Sequence, residues 1–276
     1  DVRYPADKIT KRTSVTWFNY ANGKGEEVAD YTWNYTEGTN TVKSTSINFY
    51  GDGTKRASAA TTDDVLYASV SFKGNKDGLA QGQKIIDVTG INVATDNRTS
   101  TTYFDSHLGQ GNEIADYTDS YAKDGTTITT VSVNFYGTTT RASGASTGAT
   151  LTSSDSYRWA SGFNYSNPDI TKRRSTTYFD THLGAGEEIA DYSFNYSATD
   201  GTTIRSTSIS FYYRWSDGWV NGVYNALLDN DEIDSGEEYR IRASSATSDE
   251  ALWASVSYNG DKDQDTIGNR IADVRY

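Results

Sequence analysis

The sequence predicts an all-β protein built from tandem antiparallel hairpins, and three observations support this. The first is composition: the 276 residues include 21 Tyr, 9 Phe and 6 Trp but only 2 Pro, and aromatic residues favour strands. The second is that apolar and polar residues alternate with the strand period of two. The third is internal repetition, with turn-forming glycines between the alternating runs. We expect the hairpins to stack into an extended, solenoid-like or fibre-forming sheet with one irregular insertion.

Three blocks recur in the same order and define three repeats. The first block reads RTSVTWFNYANGKGEEVAD from Arg12, RTSTTYFDSHLGQGNEIAD from Arg98 and RRSTTYFDTHLGAGEEIAD from Arg173. The second ends in NFYG, NFYG or SFYY, and the third is an Arg-Ala-Ser triplet. The blocks predict β-repeat units over residues 1–86, 87–161 and 162–276, the last with an insertion at about 214–238.

Each repeat is expected to hold four strands, and a short fifth strand is expected at Ile85-Ile86 and at Ile271. In the run that ends at Tyr196, the aromatic residues Tyr192, Phe194 and Tyr196 alternate with polar residues, which predicts one buried and one wet face. The fourth strand reads LYASVSFKGNKD in the first repeat and LWASVSYNGDKD in the third, and we place a degenerate copy, SYRWASGFNYSN, at Ser156 in the second. Asp-Gly pairs predict hairpin turns, and the segment 220–228 is a candidate short helix.

The two ends of the chain match. It opens with DVRY and closes with DVRY, and overlaying these residues brings the next repeat into phase. Since Met is also absent, we expect one period of a longer array; a chain boundary that merely falls at a repeat edge is the alternative. An unpaired edge strand can receive another strand, so head-to-tail copies, or covalently continuous repeats, would meet through Asp1, Val2, Ile271, Asp273 and Val274.

The charge of the chain disfavours several partners. There are 37 acidic and 25 basic residues, which give a net charge of −12, and such a chain is poorly suited to nucleic acid or anionic membranes. No apolar run approaches the roughly 20 residues that a membrane-spanning helix needs. Together with the matched ends, this makes self-association the expected partnership.

The residues that could carry catalysis are weak candidates. His107 and His182 occupy the same repeat position, where the first repeat has Ala21, which favours a structural loop histidine. The acidic pair Glu187-Glu188 recurs as Glu26-Glu27 after a G-x-G turn. Neighbours on a strand point to opposite faces, so they cannot flank a glycosidic bond as paired glycosidase carboxylates do. We predict that the chain is not an enzyme.

Three kinds of binding or modification site are suggested by residue type. An acidic run offers oxygen ligands for calcium without the spacing of an EF-hand, and its candidate ligands are Asp229, Asp231 and Asp234. Sequons for N-linked glycans occur at Asn34, Asn97, Asn164 and Asn195. Two tryptophans of the insertion, Trp215 and Trp219, are candidates for stacking on glycans.

The run GEEIADYSFNYSATDGTTIRSTSISFYY, from Gly186 to Tyr213, resembles tandem-repeat segments of giant surface proteins of uncultivated bacteria. Those repeats have the form TTYF…GxEIADY…DGTTI…FYG…RAS. More loosely, Tyr196 followed by Asp200-Gly201 is similar to the hairpins of YD (Rhs-type) repeats. The resemblance implies an extended extracellular structure without a known activity.

We therefore expect a structural segment of an extracellular fibril or giant cell-surface protein. The first alternative is a carbohydrate-binding adhesin that uses the aromatic residues of the insertion. The second alternative is a glycoside-active β-repeat enzyme, which would need carboxylates found in one repeat only.

Overall fold

The computed structural model describes residues 12–36, 38–76, 98–213, 219–220, 223–224, 240–247 and 251–261. These residues form antiparallel strands and short 3-10 turns, with no α-helix among them, so the all-β prediction is confirmed. The strands are β1 (Ser14–Asn19), β2 (Val28–Tyr35), β3 (Val42–Tyr50), β4 (Leu66–Lys73), β5 (Arg98–Asp105), β6 (Ile114–Tyr121), β7 (Ile128–Tyr136), β8 (Leu151–Arg158), β9 (Arg173–Asp180), β10 (Ile189–Tyr196), β11 (Ile204–Tyr213), β12 (Trp219–Val220), β13 (Val223–Tyr224), β14 (Arg240–Ile241) and β15 (Ala251–Asn259).

Each repeat contains four main strands, as the sequence predicts, and the short fifth strand expected at Ile85-Ile86 and Ile271 lies outside the described residues. The main strands are β1 to β4 in the first repeat, β5 to β8 in the second, and β9, β10, β11 and β15 in the third. The helix expected over 220–228 is wrong where the structure describes that segment. There Val220 and Val223 are antiparallel partners in the two-residue strands β12 and β13.

The fourth strand of the second repeat corrects the sequence alignment. Instead of beginning at Ser156, this strand is β8, which runs from Leu151 to Arg158. Asp155 occupies the place that Val70 holds in β4, and this acidic residue interrupts the apolar alternation that marks the strand. Most of the run taken for a degenerate strand forms a loop after β8.

The described residues form two compact units. The first comprises the residues up to Asn134 together with Arg141–Thr147 and Arg158–Tyr165, and in it the strands from β1 to β7 pair in chain order. In the second unit β8 pairs with β9, β9 with β10, β10 with β11, and β11 with both β14 and β15. Each unit is thus a meander of hairpins.

The Asp-Gly turns form as predicted. In the turn between β6 and β7, one carboxylate oxygen of Asp124 accepts the N–H groups of Thr126 and Thr127 at 2.9 Å each. The hydroxyl of Thr127 donates to the other oxygen, and these bonds lower the pKa of Asp124 to about 2. Gly125 follows with a φ of 68°, a conformation that favours glycine. Asp200 and Thr203 repeat this arrangement in the third repeat.

One face of the strands is apolar and the other carries hydroxyl groups. In the first repeat Ile47, Phe49 and Phe72 are fully buried in one cluster. On the opposite face the hydroxyl groups of Ser46 and Ser71 lie 3.1 Å apart across β3 and β4. Ile209 and Phe211 form the equivalent apolar cluster of the third repeat. The alternating pattern of the sequence is therefore confirmed.

The Arg-Ala-Ser turn adds a second small cluster to each repeat. Arg56 donates to Asp30 from Nε at 2.9 Å and from a terminal nitrogen at 2.7 Å, while Ala57 packs with Val28 and Tyr50. We call this ion pair the clasp. It recurs as Arg141 with Asp116 and as Arg242 with Asp191, which explains why both the Arg-Ala-Ser and the Ala-Asp motifs repeat.

Asp116→Asn is expected to lower the free energy of unfolding by about 1–3 kcal/mol, because the half-buried guanidinium of Arg141 loses a charged partner. Urea denaturation followed by tryptophan fluorescence measures the change. The matched control is Asp63→Asn, a substitution at an exposed carboxylate that should stay within about 0.5 kcal/mol of the parent chain. Equal losses in the two variants would contradict a stabilising role for the clasp.

Candidate functional site

The junctions between successive repeats share one geometry. The fourth strand of the first repeat, β4, pairs with the first strand of the second, β5, so that Ser71 faces Ser100. The next junction pairs β8 with β9 and brings Ser156 opposite Ser175, the same two repeat positions. In both ladders the register shifts immediately after this serine pair. One interface is therefore built twice from equivalent residues.

A glutamate crosses each of these junctions. Glu113 accepts the N–H of Gly111 on Oε2 and the N–H of Leu66, in β4, on Oε1, both at 2.8 Å. Glu188 does the same with Gly186 at 3.0 Å and with Leu151, in β8, at 2.8 Å. We call this glutamate the junction latch. It satisfies a backbone donor at the start of the preceding repeat's fourth strand, where a carboxylate gives a charge-assisted bond.

The latch was missed at the level of sequence. The acidic pairs after the G-x-G turns suggest a surface ladder, and a glutamate that binds a main-chain N–H 47 residues away leaves no local pattern. The sequence does contain one sign of the latch. The second residue of the acidic pair is Glu in all three repeats, whereas the first residue is replaced by Asn112 in the second repeat.

A buried carboxylate distinguishes the second repeat. Asp119, in β6, stands where the other repeats have Trp33 and Phe194, and only 3% of it is exposed. The hydroxyl of Tyr165 lies 3.2 Å from both of its oxygens. Burial raises the pKa of Asp119 to about 6, against the lowering effects of Tyr165 and the Arg98 charge.

A second carboxylate of the same repeat, Asp155 in β8, is 7% exposed. It accepts hydrogen bonds from the hydroxyl of Thr176 at 2.5 Å and from that of Tyr157 at 2.9 Å. The guanidinium of Arg173 lies 3.5 Å away. Sequence reasoning missed both aspartates, although an acidic residue at an inward-facing strand position is a readable signal.

The histidines hold a loop in place. The ring of His107 contacts Asp105 through Nδ1 and lies 2.9 Å from the carbonyl oxygen of Ala145 through Nε2. In the first repeat, which has no histidine here, Asn22 donates to the matching carbonyl of Ala60 at 3.4 Å. His182 repeats the contact with its own aspartate. These contacts fit the expected structural histidine.

The described sequon asparagines lie in two settings. Asn34 and Asn195 are half-buried within strands, and their side-chain amides donate at 3.2 Å to Ser44 and Ser206. Asn164 is exposed in the loop after β8. Asn97 lies outside the described residues, as do the assembly residues Asp1, Val2, Ile271, Asp273 and Val274.

The candidate calcium and glycan-stacking residues fall almost entirely outside the described part of the chain. Only the backbone of Trp219 is described, and Trp215, Asp229, Asp231 and Asp234 are not. Among the residues that are described, no group of three or more acidic or histidine side chains could hold a metal ion. Within the same ranges, no helix has the length and apolar character needed to cross a bilayer.

Comparison with protein-family models, with curated proteins and with solved structures finds no match. The resemblance to giant surface proteins and to YD repeats therefore stays a prediction, and function has to be inferred from the geometry of the repeats.

Replacing Asp119 should change how stability depends on pH. Its pKa is about 6 in the folded chain, above the ordinary value of 3.8 for an aspartate, so the folded state binds the proton more tightly than the unfolded state does. The free energy of unfolding of the parent chain should therefore fall by about 2 kcal/mol through this group as the pH rises from about 4 to about 7. Asp119→Asn, which does not titrate, should lack that loss and be the more stable chain at pH 7.

Urea denaturation of both chains at several pH values measures this difference, with Asp63→Asn as the control for removal of an exposed carboxylate. A constant difference between the parent chain and Asp119→Asn across the range would contradict the assignment.

Proposed function

We propose that this chain is a structural repeat segment of an extracellular fibril or giant cell-surface protein whose units join head to tail. The observation that carries the proposal is the junction, which occurs twice with one register and one latch. It joins the fourth strand of a repeat to the first strand of the next, so its two sides differ. Contacts of this heterologous kind propagate into filaments unless rotation closes them into a ring.

The polar face of the strands supports an exposed, structural role. Hydroxyl groups pair across neighbouring strands at 2.9 Å, as between Thr16 and Thr32 and between Thr102 and Thr118. With a net charge of −12, such a surface stays hydrated and repels non-specific association. The extracellular location and any glycan on Asn164 belong to this proposal, and the structural role itself requires no cofactor.

A carbohydrate-binding adhesin is the second candidate. To the insertion residues Trp215 and Trp219, the structure adds exposed aromatic rings in the first repeat: Trp17 at 43%, Phe18 at 52% and Tyr20 at 81%. Rings with a free face can stack on sugars. Under this view, replacing both insertion tryptophans with Ala abolishes glycan binding and leaves assembly intact.

The glycoside-active enzyme receives the least support. An enzyme of this kind needs carboxylates that occur in one repeat only, and Asp119 and Asp155 are two such residues. Both are nevertheless buried and accept hydrogen bonds from hydroxyl groups within their own units, so neither carboxylate is accessible to a substrate.

Electron microscopy of native, untagged material should show filaments whose axial period holds three four-stranded repeats. Denaturing electrophoresis then separates two forms of the proposal: separate copies release one discrete subunit, whereas a covalently continuous array stays much larger. Discrete monomeric particles, with glycan binding that depends on Trp215 and Trp219, would replace the fibril by the adhesin.

A further inference from the structure

We infer that β15 of one copy pairs with β1 of a second copy in the register of the internal junctions, and that Glu27 is the latch of this contact. The inference rests on the proposed head-to-tail function and specifies the surfaces through which it acts. The partner is a second copy of this chain.

The two strands occupy the junction positions but have one neighbour each among the described strands. β1 is equivalent to β5 and β9, which pair on both sides, yet β1 pairs only with β2. β15 is equivalent to β4, which pairs with both β3 and β5, yet β15 pairs only with β11. One side of each strand thus has no partner among the strands that the structure describes.

Exposure increases at the positions that a junction would cover. Leu252, in β15, is 57% exposed, whereas its counterpart Leu66 is half-buried. Val256 is only half-buried, although Val70 at the equivalent place in β4 has no exposed surface. On β1, Phe18 is 52% exposed, whereas its counterparts in β5 and β9 are half-buried. A strand on each edge would restore the internal pattern.

The equivalent glutamate of the first repeat, Glu27, makes only one of the two latch hydrogen bonds among the described residues. Glu27 accepts the N–H of Gly25 on Oε2 at 2.9 Å, as the other two latches do with their own glycines. Its Oε1 has no donor among the described residues, and the side chain is exposed where Glu113 and Glu188 are half-buried. The N–H of Leu252 is the equivalent donor, and it likewise meets no carboxylate in the described part of the chain.

The edges also lack the usual protection against pairing. Natural edge strands carry charged residues or proline that block the addition of another strand. The sequences SVTWFN of β1 and ALWASVSYN of β15 contain none of these. Two uncharged edges of complementary register are suited to strand addition.

The internal junctions fix the expected register. Because Ser71 faces Ser100 and Ser156 faces Ser175, Ser257 of one copy should face Ser14 of the next. The remaining pairs follow as Ala254 with Trp17, Ser255 with Thr16, Val256 with Val15, and Tyr258 with Arg12.

Disulfide trapping tests this register directly, since the chain has no native cysteine. Ser14→Cys and Ser257→Cys are made as separate full-length variants, mixed, and oxidised in a glutathione buffer. Facing residues of antiparallel strands bring their Cα atoms to about 4.5–5.5 Å, within disulfide reach. We expect a disulfide-linked pair from the mixture and none from either variant alone.

Two controls calibrate the result. Ser71→Cys with Ser100→Cys in one chain should close an internal disulfide, since these residues already face each other. Ser255→Cys mixed with Ser14→Cys is out of register by two residues, at about 7–8 Å, and should link much less.

The outcomes separate the two proposals. Sedimentation that shows assembly without the Ser14–Ser257 link overturns this inference and leaves the fibril proposal standing. Absence of assembly overturns this inference and, with it, the form of the fibril proposal in which separate copies associate. A double variant, Ser14→Cys with Ser257→Cys, that closes within a monomer overturns the assignment of a second copy as the partner.

The latch is tested by Glu27→Ala. Loss of one charge-assisted hydrogen bond per contact should raise the concentration needed for assembly about tenfold or more. The control is Glu26→Ala, which removes the neighbouring exposed carboxylate and should leave that concentration unchanged. Equal effects of the two variants would show that general charge, rather than the latch, sets the assembly threshold.

Discussion

A β-strand carries hydrogen-bonding groups along both edges, and the need to satisfy both edges shapes this molecule. Inside each unit the meander meets that need by placing every strand beside its neighbour in the chain. At the start of β4 and of β8 the ladder leaves a main-chain donor without a strand partner, and the latch glutamates Glu113 and Glu188 supply the acceptor. Repeats are thereby joined by an interface that resembles the inside of a repeat.

The clasp is kept in all three repeats, although the length of chain between its two residues varies. In the first two repeats the arginine lies 26 and 25 residues after its aspartate, and in the third it lies 51 residues after it. Arg242 and Asp191 nevertheless meet at the same distances as their counterparts. Since the cost of closing a longer loop grows slowly with its length, the insertion can vary while the clasp keeps its geometry.

Periodicity in the sequence was sufficient to predict the all-β meander, the number of main strands in each repeat, and the Asp-Gly turns at Gly125 and Gly201, because these depend on neighbouring residues. It was insufficient where partners are distant or the pattern is broken. The latch joins Glu113 to a donor in another repeat, and β8 was misplaced because Asp155 interrupts its apolar alternation. Residues that violate the pattern therefore mark the positions at which the repeats differ.

The buried aspartate of β8 makes the second junction different from the first. At the first junction Val70 faces Thr101, whereas at the second Asp155 faces Thr176, which donates a hydrogen bond to it. If β8 were joined to β1, Asp155 would lie against Val15 and would lose the hydrogen bond from Thr176, and a buried carboxylate that loses a partner is disfavoured. The three repeats share one interface and yet are not interchangeable. In the proposed array, Asp155 would therefore disfavour the pairing of β8 with β1.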